Sequence, residues 1–109
     1  MPKYRIFEFE SFEDDFSKIE KADQDRVERF ILQLKENADL VGQPLGFPYI
    51  REKKFDGNRL YFVVYTEWNV VLLWGISDKK QQPLSIFKIK QSLPDLKKYV
   101  WEKITRGFE

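Results

Sequence analysis

The residues able to do chemistry in this chain are mostly cationic. Arg51, Lys53, Lys54 and Arg59 crowd the stretch REKKFDGNRLYFVVY, and Lys79 and Lys80 follow in ISDKKQQP. Histidine and cysteine are both absent, which excludes the usual imidazole base, thiolate nucleophiles and the commonest zinc ligands. Catalysis would have to run on Lys, Arg, Tyr, carboxylates or backbone groups. Arg binds phosphate oxygens bidentately, Lys adds a point charge, and an exposed Tyr ring stacks on an unpaired base. A lysine crowded by other cations can also accept a proton where no histidine exists. Brought together, these residues suit a phosphate-rich ligand. The competing reading is solvation of a hairpin and a loop, with Glu52, Asp56 and Asp78 as local ion-pair partners of little energetic weight.

Whether the cations meet depends on the elements that carry them. From Ile50 the apolar pattern has a period of two. A strand over 50–55 leads through Asp56-Gly57-Asn58, a strong hairpin signal, into a strand over 59–66. On that second strand Leu60, Phe62 and Val64 share one face, while Arg59, Tyr61, Val63 and Tyr65 share the other. The apolar face is expected to pack on helices, which would leave Arg59, Tyr61 and Tyr65 exposed. On the first strand Arg51 and Lys53 lie together and Glu52 and Lys54 lie opposite them; which pair joins Arg59 depends on a register that the pattern leaves open. A short turn at Glu67-Trp68-Asn69 leads to VVLLWGI, a central strand with both faces covered. Its end is expected beside Arg59, which draws Lys79 and Lys80 to the same end of the sheet as the 51–54 cations.

The rest of the chain supplies the support. KYRIFEF alternates as a strand, with Tyr4, Ile6 and Glu8 opposite Arg5, Phe7 and Phe9. Ser11 and Asp14 resemble a capping box for a helix buried through Phe12, Phe16 and Ile19. Asp23 is placed to cap a second helix, buried through Val27, Phe30, Ile31 and Leu34. VGQPLGFPYI reads as an irregular link. The C-terminal part reads as a short helix over 84–91, an interruption at Pro94 and a restart with Pro in the first turn, Trp101 falling in the core. Trp68 is expected to pack back over a sheet edge. The order β-α-α-β-β-β-α is that of an α+β domain, a mainly antiparallel sheet with an N-terminal helical hairpin on one face and a C-terminal helical segment.

Composition sets the outer bounds. The 109 residues fit one domain over 1–109, and 17% aromatic residues are enough for a core of large rings. Residues 1–40 carry 7 Lys/Arg against 11 Asp/Glu, and residues 41–109 carry 12 against 7. An acidic front half and a basic back half hint at an anionic partner. The longest apolar runs fall far short of the roughly 20 residues of a membrane helix, and the N-terminus is unlike a signal peptide. A cytoplasmic protein with no membrane partner, no metal and no small-molecule cofactor is expected.

The order and spacing of these segments, above all REKKFDGNRLYFVVY followed by VVLLWGISDKKQQP, resemble the RelE/ParE superfamily of toxins from toxin–antitoxin pairs, over about residues 3 to 90. The resemblance implies a small α+β toxin that binds a cognate antitoxin encoded by a neighbouring gene. In the RelE-like branch it implies a metal-independent endoribonuclease cleaving mRNA, commonly on the ribosome, by attack of a ribose 2′-OH on the adjacent phosphate. In the ParE-like branch it implies inhibition of DNA gyrase without nuclease chemistry, and a further alternative is an inactive binding protein of the same fold. Carried onto this chain, Lys54 (or Lys53 in the other register) fits the proton-transfer position. Arg59 and one of Lys79 and Lys80 fit the phosphate charge, with Arg51, Lys53, Tyr61 and Tyr65 as RNA contacts. Glu52 is an alternative base, more at home pairing a neighbouring cation. The sequence departs from the family pattern at Phe62, where some relatives carry Arg, and in the C-terminal segment, where nucleases of this branch commonly carry an aromatic or histidine acid and the nearby aromatic here is Phe87, which cannot donate a proton.

Overall fold

A computed structural model describes residues 3–47 and 49–106. Five strands form one sheet in the order β1-β5-β4-β3-β2, with β1 (Arg5–Glu8), β2 (Gln43–Pro44), β3 (Ile50–Phe55), β4 (Asn58–Tyr65) and β5 (Val70–Asp78). β1 runs parallel to β5 and the other pairs are antiparallel. The helices are α1 (Glu10–Lys18), α2 (Lys21–Asn37) and α3 (Gln82–Arg106). This is the expected α+β order with a helical hairpin on one face, plus the two-residue strand that the Gln43-Pro44 link contributes at the edge.

One face of the sheet follows expectation. Leu60, Phe62 and Val64 of β4 pack with Val71 and Leu73 of β5 against Phe12, Val27 and Leu34 of the hairpin, and Phe16, Ile19, Phe30 and Ile31 close the cluster. The opposite face overturns the expectation that Arg59, Tyr61 and Tyr65 are exposed. α3 lies across it, and Tyr61, Val63 and Tyr65 are buried with Ile89, Leu96 and Val100. Helices therefore cover both faces. The reason is that β4 and β5 present apolar side chains on both sides of the pleat, so one helical layer could hide only half of that surface.

α3 also overturns the expected break at Pro94, which sits inside a single 25-residue helix. A proline in a helix interior costs about 3 kcal/mol. Burying Ile89, Leu96 and Val100, which flank the proline in sequence, contributes about 1.5–3 kcal/mol each, so packing wins. Trp101 is half exposed rather than core, its ring against Trp68 at a centroid distance of 5.6 Å. Trp68 does pack back as expected, on Tyr65 at 5.5 Å.

Both expected helix caps are corrected. α1 begins at Glu10 with Phe9 at its cap, and α2 at Lys21 with Glu20, neither with a side-chain cap bond. Ser11 instead donates its hydroxyl to the Trp74 carbonyl, and Asp15 accepts from the Ile76 backbone N–H at 2.9 Å. These two bonds serve the β5 bulge opposite Tyr61 and Phe62, where the ladder is irregular and its backbone groups need other partners. Asp23 lies buried within the first turn of α2, paired at 2.8 Å with Arg26.

Candidate anion-binding site

The β3–β4 hairpin turns at Asp56 (φ 44°) and Gly57 (φ 79°), both left-handed, as a tight two-residue turn of this hand requires. That turn sets the register. Lys54 pairs with Arg59, Glu52 with Tyr61, and Lys53 with Leu60. Lys54 and Arg59 are therefore neighbours on the α3 face, and Arg51 and Lys53 are on the other. Lys53 lies over the Phe30 ring of α2 at 5.4 Å. Arg51 donates from Nε to the Val41 carbonyl at 2.8 Å and from Nη2 to the Gly42 carbonyl at 3.0 Å, which ties the β2 link to β3. The structure brings together Lys54 and Arg59, and it separates Arg51 and Lys53 from them.

Arg59 pairs with Ser77 across β5, and Asn58 with Asp78. Lys79 and Lys80 follow directly, exposed, in the turn between β5 and α3. Asp78 orders that turn by accepting from the Gln81 N–H at 2.9 Å. Lys54, Arg59 and the 79–80 pair thus converge at one end of the sheet, beside the N-terminus of α3, whose first turn carries no acid. Its dipole adds positive potential there.

Arg59 is only 8% exposed. Its Nη1 donates to the Gly57 carbonyl at 3.0 Å, while Nε is buried and has no partner among the described residues. Tyr61 is fully buried, its hydroxyl 2.8 Å from Ser77 Oγ. Burial, more than the neighbouring Glu52 carboxylate, raises its pKa above the ordinary value, so it keeps its proton. Tyr65 lies at the far end of β4, stacked on Trp68. Neither tyrosine offers an open ring face on the sheet, so the stacking surface expected of them is absent.

Glu52 and Gln82 complete this end in a way the sequence does not announce. Glu52 is 4% exposed and is held by Gln82 rather than by a cation, Nε2 donating to Oε1 at 3.0 Å and to Oε2 at 2.9 Å. A period of two puts Glu52 on one face with Lys54, but nothing in KKQQP marks Gln82 as the first residue of a helix that reaches it. Among the described residues, no group of three or more His, Cys, Asp and Glu is placed to hold a metal ion. No described helix is long and apolar enough to cross a membrane.

Comparisons with solved structures return one fold. The chain superposes on a double mutant of the E. coli toxin RelE in the free state with a TM-score of 0.67 at 15% identity, covering 81% of this chain and 93% of that one. The toxin–antitoxin complex RelBE2 of Mycobacterium tuberculosis matches with a TM-score of 0.62 at 18% identity, over 72% and 94% of the two chains. The archaeal RelE–RelB complex of Pyrococcus horikoshii matches with a TM-score of 0.61 at 14% identity, over 71% and 96%. No family model and no curated protein sequence matches. The chain has the RelE-like toxin fold.

Proposed function

We propose, from that fold, that this chain is a cytoplasmic RelE-like toxin acting as a single domain over residues 1–109, partnered by a cognate antitoxin, and that it cleaves mRNA on the ribosome. The observation that carries this reading is the Lys54–Arg59 pairing beside the exposed Lys79-Lys80 turn at one end of the sheet. Arg59 Nη1 is fixed on the Gly57 carbonyl at 3.0 Å, which holds the guanidinium charge in place beside the exposed lysines. In the proposed reaction Arg59 and one lysine of the 79–80 turn hold the scissile phosphate. Lys54 Nζ takes the proton from the ribose 2′-OH as that oxygen attacks phosphorus. The bond to the 5′-oxygen breaks, leaving a 2′,3′-cyclic phosphate, and the second lysine of the turn protonates the departing oxygen. Stabilisation of the dianionic transition state by preorganised cations is the larger effect.

A second reading rests on the burial of Tyr61 and on Phe87, which has no proton to give. Both favour a fold that binds DNA gyrase or another target without cutting RNA. One experiment separates the two. The chain is induced alone in a bacterial host, with growth followed and mRNA 5′ ends mapped, beside Arg59→Ala and Lys79→Ala/Lys80→Ala. Arrest with new ends that vanish in the variants supports the nuclease. Arrest with intact mRNA and altered plasmid supercoiling supports the gyrase reading.

A further inference from the structure

At the other end of β4 from Arg59, a half-open cleft of about 470 Å³ lies between the strand and α3, lined by Tyr49, Tyr65, Glu67, Leu93, Pro94 and Lys97. We infer that this cleft is a second nucleotide subsite, taking an unpaired base of single-stranded RNA; the inference rests on the RNA reading above. Three observations carry it. Tyr49 is 41% exposed and Phe47 42%, their rings tilted together at 5.7 Å, so flat aromatic surface is open at the mouth. Lys90 and Lys97 are seven residues apart and so share one side of α3. Lys97 lines the cleft and sits over Trp68 at 5.9 Å, and Lys90, outside the lining, sits over Phe47 at 5.7 Å beside Tyr49, so one cation is in the cleft and a second stands near its mouth. The Tyr65 hydroxyl, on a residue 5% exposed, has no hydrogen-bond partner among the described residues.

Aromatic faces interleaved with lysines are how sequence-tolerant single-strand sites are built. Tyr49 would stack on the base, and the Tyr65 O–H would donate to a base ring nitrogen or carbonyl. Glu67, 3.8 Å from Lys97, can accept from a base amino group, while its charge keeps the phosphates of the strand on the lysine side. Arg59 and Tyr65 are six residues apart on one strand, roughly 20 Å, a distance that a few nucleotides span. The two sites would then hold one strand of RNA at two points.

The test uses the whole chain and fluorescein-labelled single-stranded RNA of about ten nucleotides, 2′-O-methylated so that it cannot be cut, alongside a trinucleotide. Wild type is compared with Tyr49→Ala/Lys97→Ala, Tyr65→Phe and Arg59→Ala, each checked for native circular dichroism. The expected result is a loss of about tenfold or more in affinity for the longer RNA in the double variant, the size of one lost stacking contact, with the trinucleotide unaffected. Tyr65→Phe, which preserves the packing, is expected to lose about threefold. Quenching of tryptophan fluorescence by the longer RNA should disappear in the double variant. Unchanged binding of both RNAs in the double variant, with binding lost in Arg59→Ala, overturns the subsite and leaves the first site standing. Absence of free-RNA binding by the wild type overturns the subsite and leaves the ribosome-dependent reading to the induction experiment. A double variant that keeps RNA but loses the antitoxin makes the cleft a protein-binding surface and overturns the inference.

Discussion

Glu52 and Gln82, thirty residues apart, are joined by a forked hydrogen bond in which one amide nitrogen serves both carboxylate oxygens, at 3.0 and 2.9 Å. The bond fastens the first turn of α3 to the middle of β3 and roofs the end of the sheet where Lys54 and Arg59 meet. Gln82→Ala would leave a nearly buried carboxylate without this donor. A loss of about 1.5–3 kcal/mol is expected, read as a lower urea midpoint with an unchanged m value. Equal midpoints would mean that water replaces the amide at no cost.

Tyr65 carries a penalty that a single oxygen deletion removes. Its hydroxyl is buried without a partner among the described residues, so Tyr65→Phe is expected to raise stability by about 1 kcal/mol at neutral pH. Burial, and secondarily the Glu67 charge, hold its pKa well above the ordinary tyrosine value. The unfolded chain gives up this proton near pH 10 while the folded chain keeps it. The unfolded state then binds fewer protons, and stability falls as pH rises from about 10 upward. Alkaline unfolding curves of Tyr65→Phe should fall less steeply, retaining the smaller contribution of Tyr61, whose pKa is raised in the same direction.

Gly42 has φ +74°, and a Cβ built on it would lie 2.1 Å from the Glu52 carbonyl oxygen. Gly42→Ala combines left-handed strain with a clash against strand backbone, which cannot yield as a flexible side chain would. A loss of about 3 kcal/mol or more is expected in thermal or denaturant unfolding. A stability within about 0.5 kcal/mol of wild type would show that the β2 link moves freely away from β3.

Arg26 bridges Asp23 at 2.8 Å and Asp56 at 3.2 Å, connecting α2 to the hairpin turn. Asp23 is buried and Asp56 is 62% exposed on its side chain. Arg26→Ala is expected to cost about 1 kcal/mol, discounted because the arginine is itself 41% exposed. Asp56→Ala should cost less than half of that. Both effects should shrink at high salt, and a salt-independent loss for Arg26→Ala would assign it to packing instead.

Much of the hairpin is legible in the residues themselves, because Asp56-Gly57 marks a tight turn and the β-branched and aromatic run that follows it favours a strand. The convergence of Lys79 and Lys80 with Arg59 follows from antiparallel neighbours alone. That Lys54 rather than Lys53 faces Arg59 does not, since a one-residue slip would exchange them. The burial of Tyr61 is equally hidden. Alternation says that it shares a face with Arg59 and not what covers that face.

The sequence by itself determined the order of elements, the side of each strand on which a residue falls and the end of the sheet at which the cations gather, because these depend on local periodicity and turn chemistry. Only the tertiary structure decided that α3 runs unbroken through Pro94, that it buries the tyrosine face, and that Gln82 meets Glu52. Each of these is settled by burial between segments far apart in the chain, where several apolar side chains removed from water outweigh one lost helical hydrogen bond.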